Sequence, residues 1–305
     1  MTPAMTPALG ETLRVLEPAP HVLAFYDGRI PGVRLHSPEP NWLDDGAYAL
    51  GICSYAVVDG AEALVYDTHI SLAHARLIRA ELERRGVTAI RVVLSHWHDD
   101  HVAGNAVFAD CEIIANRLTA DVLREKRPQL EAADPPIRPL VLPNRIFVGH
   151  LDLEVGQVPV RLMQMDIHSQ DGTVALLPGG LLLAGDTLED PITYVDEPDR
   201  LALHLADLQR MAGLNLTRIL PNHGAQAVIA AGGYGPDLIA ATRAYVRKLL
   251  TLADDPAAQA QDLMTFAAEG FAAGRLGYFA PYEAVHRSNV AAVLAAAAIP
   301  QPQRR

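Results

Sequence analysis

The sequence predicts an α/β fold in which short strands alternate with amphipathic helices. Half of the 305 residues are hydrophobic, which is enough for one large domain with its own core. Short apolar runs bounded by turn residues recur along the chain and predict strands, and segments with apolar residues at helical spacing predict helices. We therefore expect a single domain over residues 1–305, with its core at about 12–230 and appended C-terminal helices at about 237–299.

The individual elements follow from local signals. Residues 12–66 alternate apolar segments with turn residues, a pattern typical of an initial antiparallel sheet. Residues 71–86 have helical spacing, with Ser71 as a candidate N-cap and Gly86 as a candidate C-cap. The same signals predict strands at 90–95, 111–115 and 217–220, a second sheet from 144 to 187, and helices at 119–133, 198–212 and 237–252. Two or three further helices are expected within the Ala-rich residues 258–299.

The most informative segment is residues 95–101, Ser-His-Trp-His-Asp-Asp-His, directly after the apolar run 90–94. A strand that ends in a turn can aim three imidazoles and a carboxylate at one small volume. The residues that would do so are His96, His98, Asp100 and His101. Imidazole nitrogen and carboxylate oxygen suit Zn²⁺, and also Fe and Mn. The alternative is a solvated, His-rich turn.

Three more residues of the ligand type lie downstream, each at the end of a predicted strand: His168, Asp186 and His223. Loops at strand ends carry function on a rigid scaffold. Taken alone, Asp186 could cap the next turn, and either histidine could be an ordinary surface residue. Together with residues 95–101, the set favours a metal site.

These residues carry a resemblance to a known family. The chain resembles the metallo-β-lactamase-fold superfamily over about residues 45–225, in the family's order, through His96-x-His98-x-Asp100-His101, His168, Asp186 in Ala-Gly-Asp-Thr, and His223 in Pro-Asn-His-Gly. Residues 63–68 also look like the family's early strand, which ends in an Asp just below the metals, here Asp67. The resemblance implies a four-layer αββα sandwich with the metals at one sheet edge. Two departures are Asn222 and His69, at positions where many members carry Gly.

The resemblance also implies a dinuclear site. His96, His98 and His168 would hold one metal, Asp100, His101 and His223 the other, and Asp186 would bridge the two, with two Zn²⁺ as the expected ions. Two cations that share a hydroxide lower its pKa towards neutrality and hold it against a carbonyl or phosphoryl group. Asp100 would in addition orient the hydroxide or carry a proton. Asp67 would accept an N–H from a ligand imidazole.

Two of the ligands narrow the choice of branch. True β-lactamases generally lack a bridging carboxylate, so Asp186 argues against that activity, and His98 argues against the diiron flavoprotein branch, which resembles a variant with Glu at this position. The leading interpretation is a metal-dependent hydrolase that uses a metal-bridging hydroxide on a small-molecule ester, lactone or thioester. Phosphodiester or sulfate-ester hydrolysis, a mononuclear iron sulfur dioxygenase and a catalytically silent metal-binding sensor stay open as alternatives.

Other residues are candidates for the substrate pocket. Lactonase-like branches use a tyrosine near the bridging Asp to bind the carbonyl oxygen, and Tyr194 is the candidate here; the alternative is a loop tyrosine that packs on the strand edge. His69 directly follows Asp67-Thr68 and is expected to face the opening of the metal site. His286 resembles a histidine on a C-terminal helix that borders the pocket in some members, or it simply packs that helix. His150 and His204 are predicted to be surface histidines.

Composition and charge bear on partners and location. The chain has 25 Lys and Arg against 36 Asp and Glu, a formal charge of −11, which disfavours a nuclease and any nucleic-acid partner. No signal peptide is apparent, and the apolar stretch 290–299 is too short to span a bilayer. The two cysteines, Cys53 and Cys111, fit buried small residues in a reducing compartment. We therefore expect a cytoplasmic protein with a small-molecule substrate and no membrane partner, and a homodimer would be the commonest assembly.

Overall fold

Two β-sheets form the centre of the computed structural model, which describes residues 7–298. The first sheet contains, in spatial order, β1 (Arg14–Ala19), β2 (Val22–Asp27), β3 (Ile52–Asp59), β4 (Glu62–Tyr66), β5 (Ala89–Val93), β6 (Glu112–Asn116) and β7 (Arg145–Phe147). The second contains β8 (His150–Val155), β9 (Val158–Gln164), β10 (Thr173–Leu177), β11 (Leu181–Gly185) and β12 (Arg218–Pro221). Residues 1–6, where no signal peptide is expected, lie outside the described range. So do residues 299–305 at the end of the predicted domain.

The helices follow the order of the chain. A π-helix at Trp42–Tyr48 precedes α1 (Leu72–Arg84), α2 (Asp99–Val102), α3 (Arg117–Ala132), α4 (Leu201–Ala212), α5 (Gln226–Ala230), α6 (Asp237–Leu250), α7 (Pro256–Gln259), α8 (Leu263–Phe266), α9 (Ala268–Ala272) and α10 (Tyr282–Ala297). Within the described range, no helix has both the length and the apolar character that crossing a bilayer would require.

The sheets and helices form four layers. Ile78 and Leu82 of α1 belong to a buried cluster on the outer face of the first sheet. A second buried cluster joins Leu64 of β4 to Leu162 of β9, between the sheets, and continues to Leu208 of α4. The same cluster includes buried residues of α6, α8 and α10, so the C-terminal helices share the core of the sandwich. The predicted αββα sandwich with an appended C-terminal helical segment is confirmed.

Strand pairing determines which strand ends, and therefore which candidate site residues, lie at the same edge of the sheets. β1 to β4 pair antiparallel, as expected for residues 12–66, whereas β5, β6 and β7 pair parallel after β4. The prediction of one second sheet from 144 to 187 is wrong at its start. β7 pairs with β6 (Ile114 opposite Arg145), and the turn at Gly149, which has a left-handed φ of 72°, separates β7 from the second sheet.

The predicted helices form with small shifts of their ends. Ser71 caps α1 by accepting a hydrogen bond from the His74 backbone N–H, and Gly86 follows the helix with a left-handed φ of 88°. The C-terminal prediction of two or three helices is corrected, because four helices, α7 to α10, lie between residues 256 and 298. The prediction of a surface His204 is wrong. It lies three residues after Leu201 on the inner face of α4 and is 1% exposed.

Core packing on α1 leads to a direct prediction. Ile78 is fully buried, whereas its neighbour Leu77 is 43% exposed on the same helix. Ile78→Ala should therefore lower the free energy of unfolding by about 2–5 kcal/mol, because it removes buried methyl groups and leaves a cavity. Leu77→Ala is the matched control and should change it by less than about 1 kcal/mol. Urea unfolding followed by circular dichroism measures both, and equal losses in the two variants would contradict the packing described here.

Candidate metal centre

The seven predicted ligands lie on loops at one edge of the two sheets. β5 ends at Val93, and the chain then turns through His96 and His98 into the short helix α2, which carries Asp100 and His101. His168 follows β9, Asp186 directly follows β11, and His223 stands two residues after the end of β12. Parallel and antiparallel pairing within the sheets brings these loops together.

Unusual backbone conformations help to aim these side chains. Gly185, which precedes Asp186, has a φ of 57°, and a Cβ atom there would lie 2.9 Å from the Tyr66 hydroxyl oxygen. Glycine is therefore required at the end of β11. His168 has a left-handed φ of 69°, which is uncommon for a residue with a side chain. Such conformations cluster at functional sites, where the surrounding structure enforces them.

Three imidazole nitrogens converge on one point. His96 Nε2 lies 2.9 Å from His98 Nδ1 and 3.2 Å from His168 Nε2, and the last two nitrogens are 2.9 Å apart. Tetrahedral Zn²⁺ with Zn–N bonds of about 2.0–2.1 Å holds its nitrogen ligands roughly 3.3 Å apart. Three neutral imidazoles cannot all satisfy one another by hydrogen bonds, whereas one cation satisfies all three lone pairs. The arrangement fits a metal ion.

A second group combines two imidazoles with a carboxylate. Asp100 Oδ2 lies 3.1 Å from His223 Nε2, and Asp100 Oδ1 lies 3.3 Å from His101 Nε2. In this group, as in the first, the ligand atoms all lie within 4.8 Å of one another. Nitrogen and oxygen donors of this kind suit Zn²⁺, Fe and Mn.

Asp186 lies between the two groups. Its Oδ2 is 3.1 Å from His101 Nε2, 3.4 Å from His223 Nε2 and 3.6 Å from His96 Nε2. Its Oδ1 is buried and finds no hydrogen-bond partner within residues 7–298. A buried carboxylate oxygen without a partner is costly unless a cation neutralises it. The donor set and this oxygen therefore fit metal binding, with Asp186 as the residue that both groups share.

The other nitrogen of the ligand imidazoles is held by the protein. His101 Nδ1 donates to Asp67 Oδ2 at 2.9 Å, His223 Nδ1 donates to the Gly51 carbonyl at 2.7 Å, and His168 Nδ1 donates to the Tyr194 carbonyl at 2.9 Å. His98 Nε2 lies 3.5 Å from Asp196 Oδ2. Such contacts fix the tautomer and direct the remaining lone pair to the metal. Asp67 accepts the N–H of a candidate ligand imidazole, as expected from the sequence. The contacts of the Tyr194 carbonyl with His168 and of Asp196 with His98 were not expected.

Burial lowers the pKa of two of these imidazoles. It holds the pKa of His96 well below its usual range, an effect that His101 and His98 reinforce. Burial and His98 likewise lower the pKa of His168 to about 4. The neutral imidazole is the form that binds a metal.

A cavity of about 550 Å³ opens over the ligands. Its wall is largely apolar and aromatic, and includes Trp42, Trp97, Tyr194, Ala284, Val285 and Ser288. The last three belong to α10, so the C-terminal helix forms one side of the cavity. A larger groove of about 820 Å³, around Pro18 and Arg218, contains none of the predicted ligands.

Two predicted pocket residues do not line this cavity. His69 is fully buried and stacks on His74, with ring centroids 4.5 Å apart, and its backbone has a left-handed φ of 68°. His286 is 1% exposed, and its ring nitrogens lie 3.0 Å from the Tyr245 hydroxyl oxygen and 3.1 Å from the Gln261 carbonyl oxygen. The expectation that His69 faces the mouth of the site is therefore wrong, and of the two alternatives for His286 the structure fits packing within the helices. His286 packs α10 against its neighbours.

Glu189 is a cavity residue that the sequence did not single out. Its carboxylate accepts hydrogen bonds from the Tyr194 backbone N–H at 2.9 Å and from the Tyr282 hydroxyl at 2.8 Å. Burial, with the nearby Asp186 carboxylate, raises the pKa of Glu189 to about 7. Glu189 thus links the Tyr194 loop to α10 beside the metal ligands.

The structure combines an αββα sandwich with a donor set at one edge that suits divalent metal ions. The model of the metallo-β-lactamase superfamily matches residues 48–257, more than half of the chain. The chain belongs to the metallo-β-lactamase superfamily, a family of hydrolytic metalloenzymes.

Two solved structures share the fold of this chain. The crystal structure of VMB-1 superposes with a TM-score of 0.58 at 16% identity, covering 77% of this chain and 97% of that one. A metallo-β-lactamase from Pontibacter korlensis superposes with a TM-score of 0.54 at 15% identity, covering 75% and 99%. At such identities the likeness concerns the fold alone.

Two curated relatives match a short segment only. An atrochrysone carboxyl ACP thioesterase from Passalora fulva is 42% identical over 57 residues, and the lactamase-like protein notP from Aspergillus sp. (strain MF297-2) is 42% identical over 55 residues. Each match covers 18% of this chain and 17% of the relative's own length.

Proposed function

We propose that this hydrolase cleaves a carboxylic ester, lactone or thioester of a small molecule. The observation that carries the proposal is the lining of the cavity over the ligands. Among the described residues that form it there is no Lys or Arg, and three carboxyl groups outside the proposed ligand set, Asp99, Glu189 and Asp196, lie in its wall. A fourth, Asp45, is paired with Arg34.

This lining favours acyl substrates over phosphate and sulfate esters. A phosphodiester or sulfate ester keeps a negative charge at the reacting centre, which arginine or lysine normally stabilises. The carboxyl groups in the wall would oppose that charge, whereas a neutral carbonyl compound would not be repelled. The apolar part of the wall suits an acyl or aromatic group. The thioesterase name of the Passalora fulva relative supports including thioesters.

The chain's residues divide the work as follows. His96, His98 and His168 would hold one cation, Asp100, His101 and His223 a second, and Asp186 would contact both. When bound, divalent cations lower the pKa of water and polarise a carbonyl oxygen. Asp100 is also placed to orient the attacking water and to carry its proton, because its carboxylate faces the cavity. Two Zn²⁺ ions and a cytoplasmic location belong to the same proposal.

Tyr194 is proposed to donate a hydrogen bond to the substrate carbonyl oxygen. Its ring lines the cavity, with its centroid 5.8 Å from that of the His168 ring. Tyr194→Phe should lower kcat by on the order of a hundredfold, as removal of a donor to a developing oxyanion does. The control is Tyr278→Phe, since Tyr278 is exposed and its hydroxyl contacts Glu283. Unchanged turnover in Tyr194→Phe would remove this residue from the mechanism.

The proposed function is tested by proton release in weak buffer. The zinc-loaded protein is offered a lactone, a thioester, a phosphodiester and a sulfate ester of matched size, with Asp186→Ala as the inactive control. Acid release from the carbonyl substrates alone is the expected result, and the relative rates rank lactone against thioester. Turnover of the phosphodiester or sulfate ester alone would overturn the proposal. No acid release from any of the four substrates, together with iron in the purified protein, would favour the sulfur dioxygenase.

A further inference from the structure

A third group of metal-ligand side chains lies outside the cavity. It combines Asp166, which follows β9, Glu197, in the segment before α4, and His204 on α4 itself. One ligand atom from each residue lies within 4.8 Å of the other two. His204 Nε2 is 3.5 Å from Asp166 Oδ1, and the two carboxylates are partly exposed at the surface.

The buried imidazole is the independent indication of a ligand. His204 is 1% exposed, and its Nε2 finds no hydrogen-bond partner within the described part of the chain. An unpaired polar atom buried in this way costs free energy unless something binds it. Burial also lowers the pKa of His204 to about 4. A buried imidazole nitrogen without a partner, close to two carboxylates, is an arrangement that suits a divalent cation.

The charged side chains around Asp166, Glu197 and His204 favour the binding of a cation. Asp207 also contacts this group, because its carboxylate accepts a hydrogen bond from the Asp166 backbone N–H at 2.6 Å. Against these three acids stand Arg200, which pairs with Asp166 and lies 3.6 Å from Glu197, and Arg210, which pairs with Asp207. Arg200 is 30% exposed, so its guanidinium can move into solvent when a cation takes its place. The two carboxylates are thus shared between Arg200 and any bound cation.

We propose that Asp166, Glu197 and His204 form a separate divalent-cation site, for Zn²⁺ or Mn²⁺. Two carboxylates and one imidazole are ligands that both ions accept, with water completing the coordination. The site would tie the end of β9 to α4. Asp166 stands two residues before His168, and Glu197 directly follows Asp196, which contacts His98. A cation here would therefore hold in place two loops that position metal ligands of the cavity.

The competition with Arg200 gives a sharp test. Equilibrium dialysis of the full chain against Zn²⁺ and against Mn²⁺, with elemental analysis, counts the ions bound per chain. Compared with the wild type, His204→Gln should lose one equivalent, or bind it at least about tenfold more weakly, and keep the number of tighter equivalents. Arg200→Gln should bind the same equivalent about two- to fivefold more tightly, because an exposed competing ion pair is gone.

Two results would overturn the proposal. One is an unchanged count and affinity in both His204→Gln and the second ligand variant, Glu197→Gln, which replaces a partly exposed side chain and so keeps the fold. The other is weaker or unchanged binding in Arg200→Gln, which is what a plain salt-bridge cluster would give. Each variant is checked by circular dichroism, and the cation-dependent rise in Tm should be smaller in His204→Gln than in the wild type.

Discussion

Replacing Asp186 with alanine is expected to reduce turnover by about a thousandfold or more and to weaken metal binding. The Oδ2 atom of Asp186 lies within 3.8 Å of Nε2 of His96, His101, His168 and His223, so it contacts both groups of candidate ligands. Its removal would leave those imidazoles without the carboxylate they share. Residues that act as a unit lose most of their effect together, so a partial loss is not expected.

The measurements separate loss of metal from loss of fold. Metal content by elemental analysis, kcat/KM on the best carbonyl substrate and the urea midpoint are compared for Asp186→Ala and Asp186→Asn, the second of which preserves volume. Asp121→Asn is the control, because Asp121 is exposed on α3 and pairs only with Arg124 in the described structure. Turnover within tenfold of the wild type in both Asp186 variants would contradict the central role of this carboxylate.

The grouping of the candidate ligands in space can be predicted because the information that determines it is local. Each proposed ligand follows an apolar run, and β9, β11 and β12, which run in the same direction, end at a common edge of their sheet. A short window around each run therefore suffices to place it. The α1 boundaries are predictable for the same reason, since Ser71 and Gly86 act on adjacent backbone groups.

What depends on distant pairing could not be predicted. The three residues of β7 join the first sheet only because β6, about thirty residues earlier, offers a free edge. Glu189 and Asp196 look like ordinary loop acids until α10 and His98 are placed beside them. His69 was expected at the mouth because it follows Asp67 in sequence, but its position depends on stacking against His74 of α1.

The cavity wall likewise combines features that the local sequence indicates with features that depend on distant contacts. Tyr194 lies in a loop that Asn289 of α10 fixes: the Asn289 side chain accepts from the Val195 backbone N–H at 2.9 Å and donates to the Thr193 carbonyl at 3.0 Å. The sequence analysis singled out His286 on the C-terminal helix, yet it is Asn289 that holds the pocket loop. Sequence spacing indicated the right helix but not which of its faces meets the cavity.

Asp67→Asn is expected to lower both metal affinity and turnover by about 10–100-fold, although Asp67 is not itself a candidate ligand. Asp67 is fully buried, and its carboxylate accepts three hydrogen bonds: from His101 Nδ1 at 2.9 Å, from Asn222 Nδ2 at 2.6 Å and from the Ser95 backbone N–H at 2.7 Å. An amide has one oxygen, so its NH₂ group must face at least one of these donors. The imidazole of His101 then loses its fixed orientation and the negative charge that strengthens it as a ligand.

The choice of asparagine isolates this electrostatic effect from backbone strain. Asp67 has a left-handed φ of 67°, a conformation that asparagine adopts readily and alanine does not. Asp67→Asn should therefore keep the fold while weakening the metal site, whereas Asp67→Ala should in addition lower the urea midpoint. Zinc affinity by competition with a chelating dye, kcat/KM and urea unfolding are measured on both variants. Wild-type zinc affinity in Asp67→Asn would mean that the bond to His101 serves only folding, because the ligand would then bind metal equally well without the carboxylate.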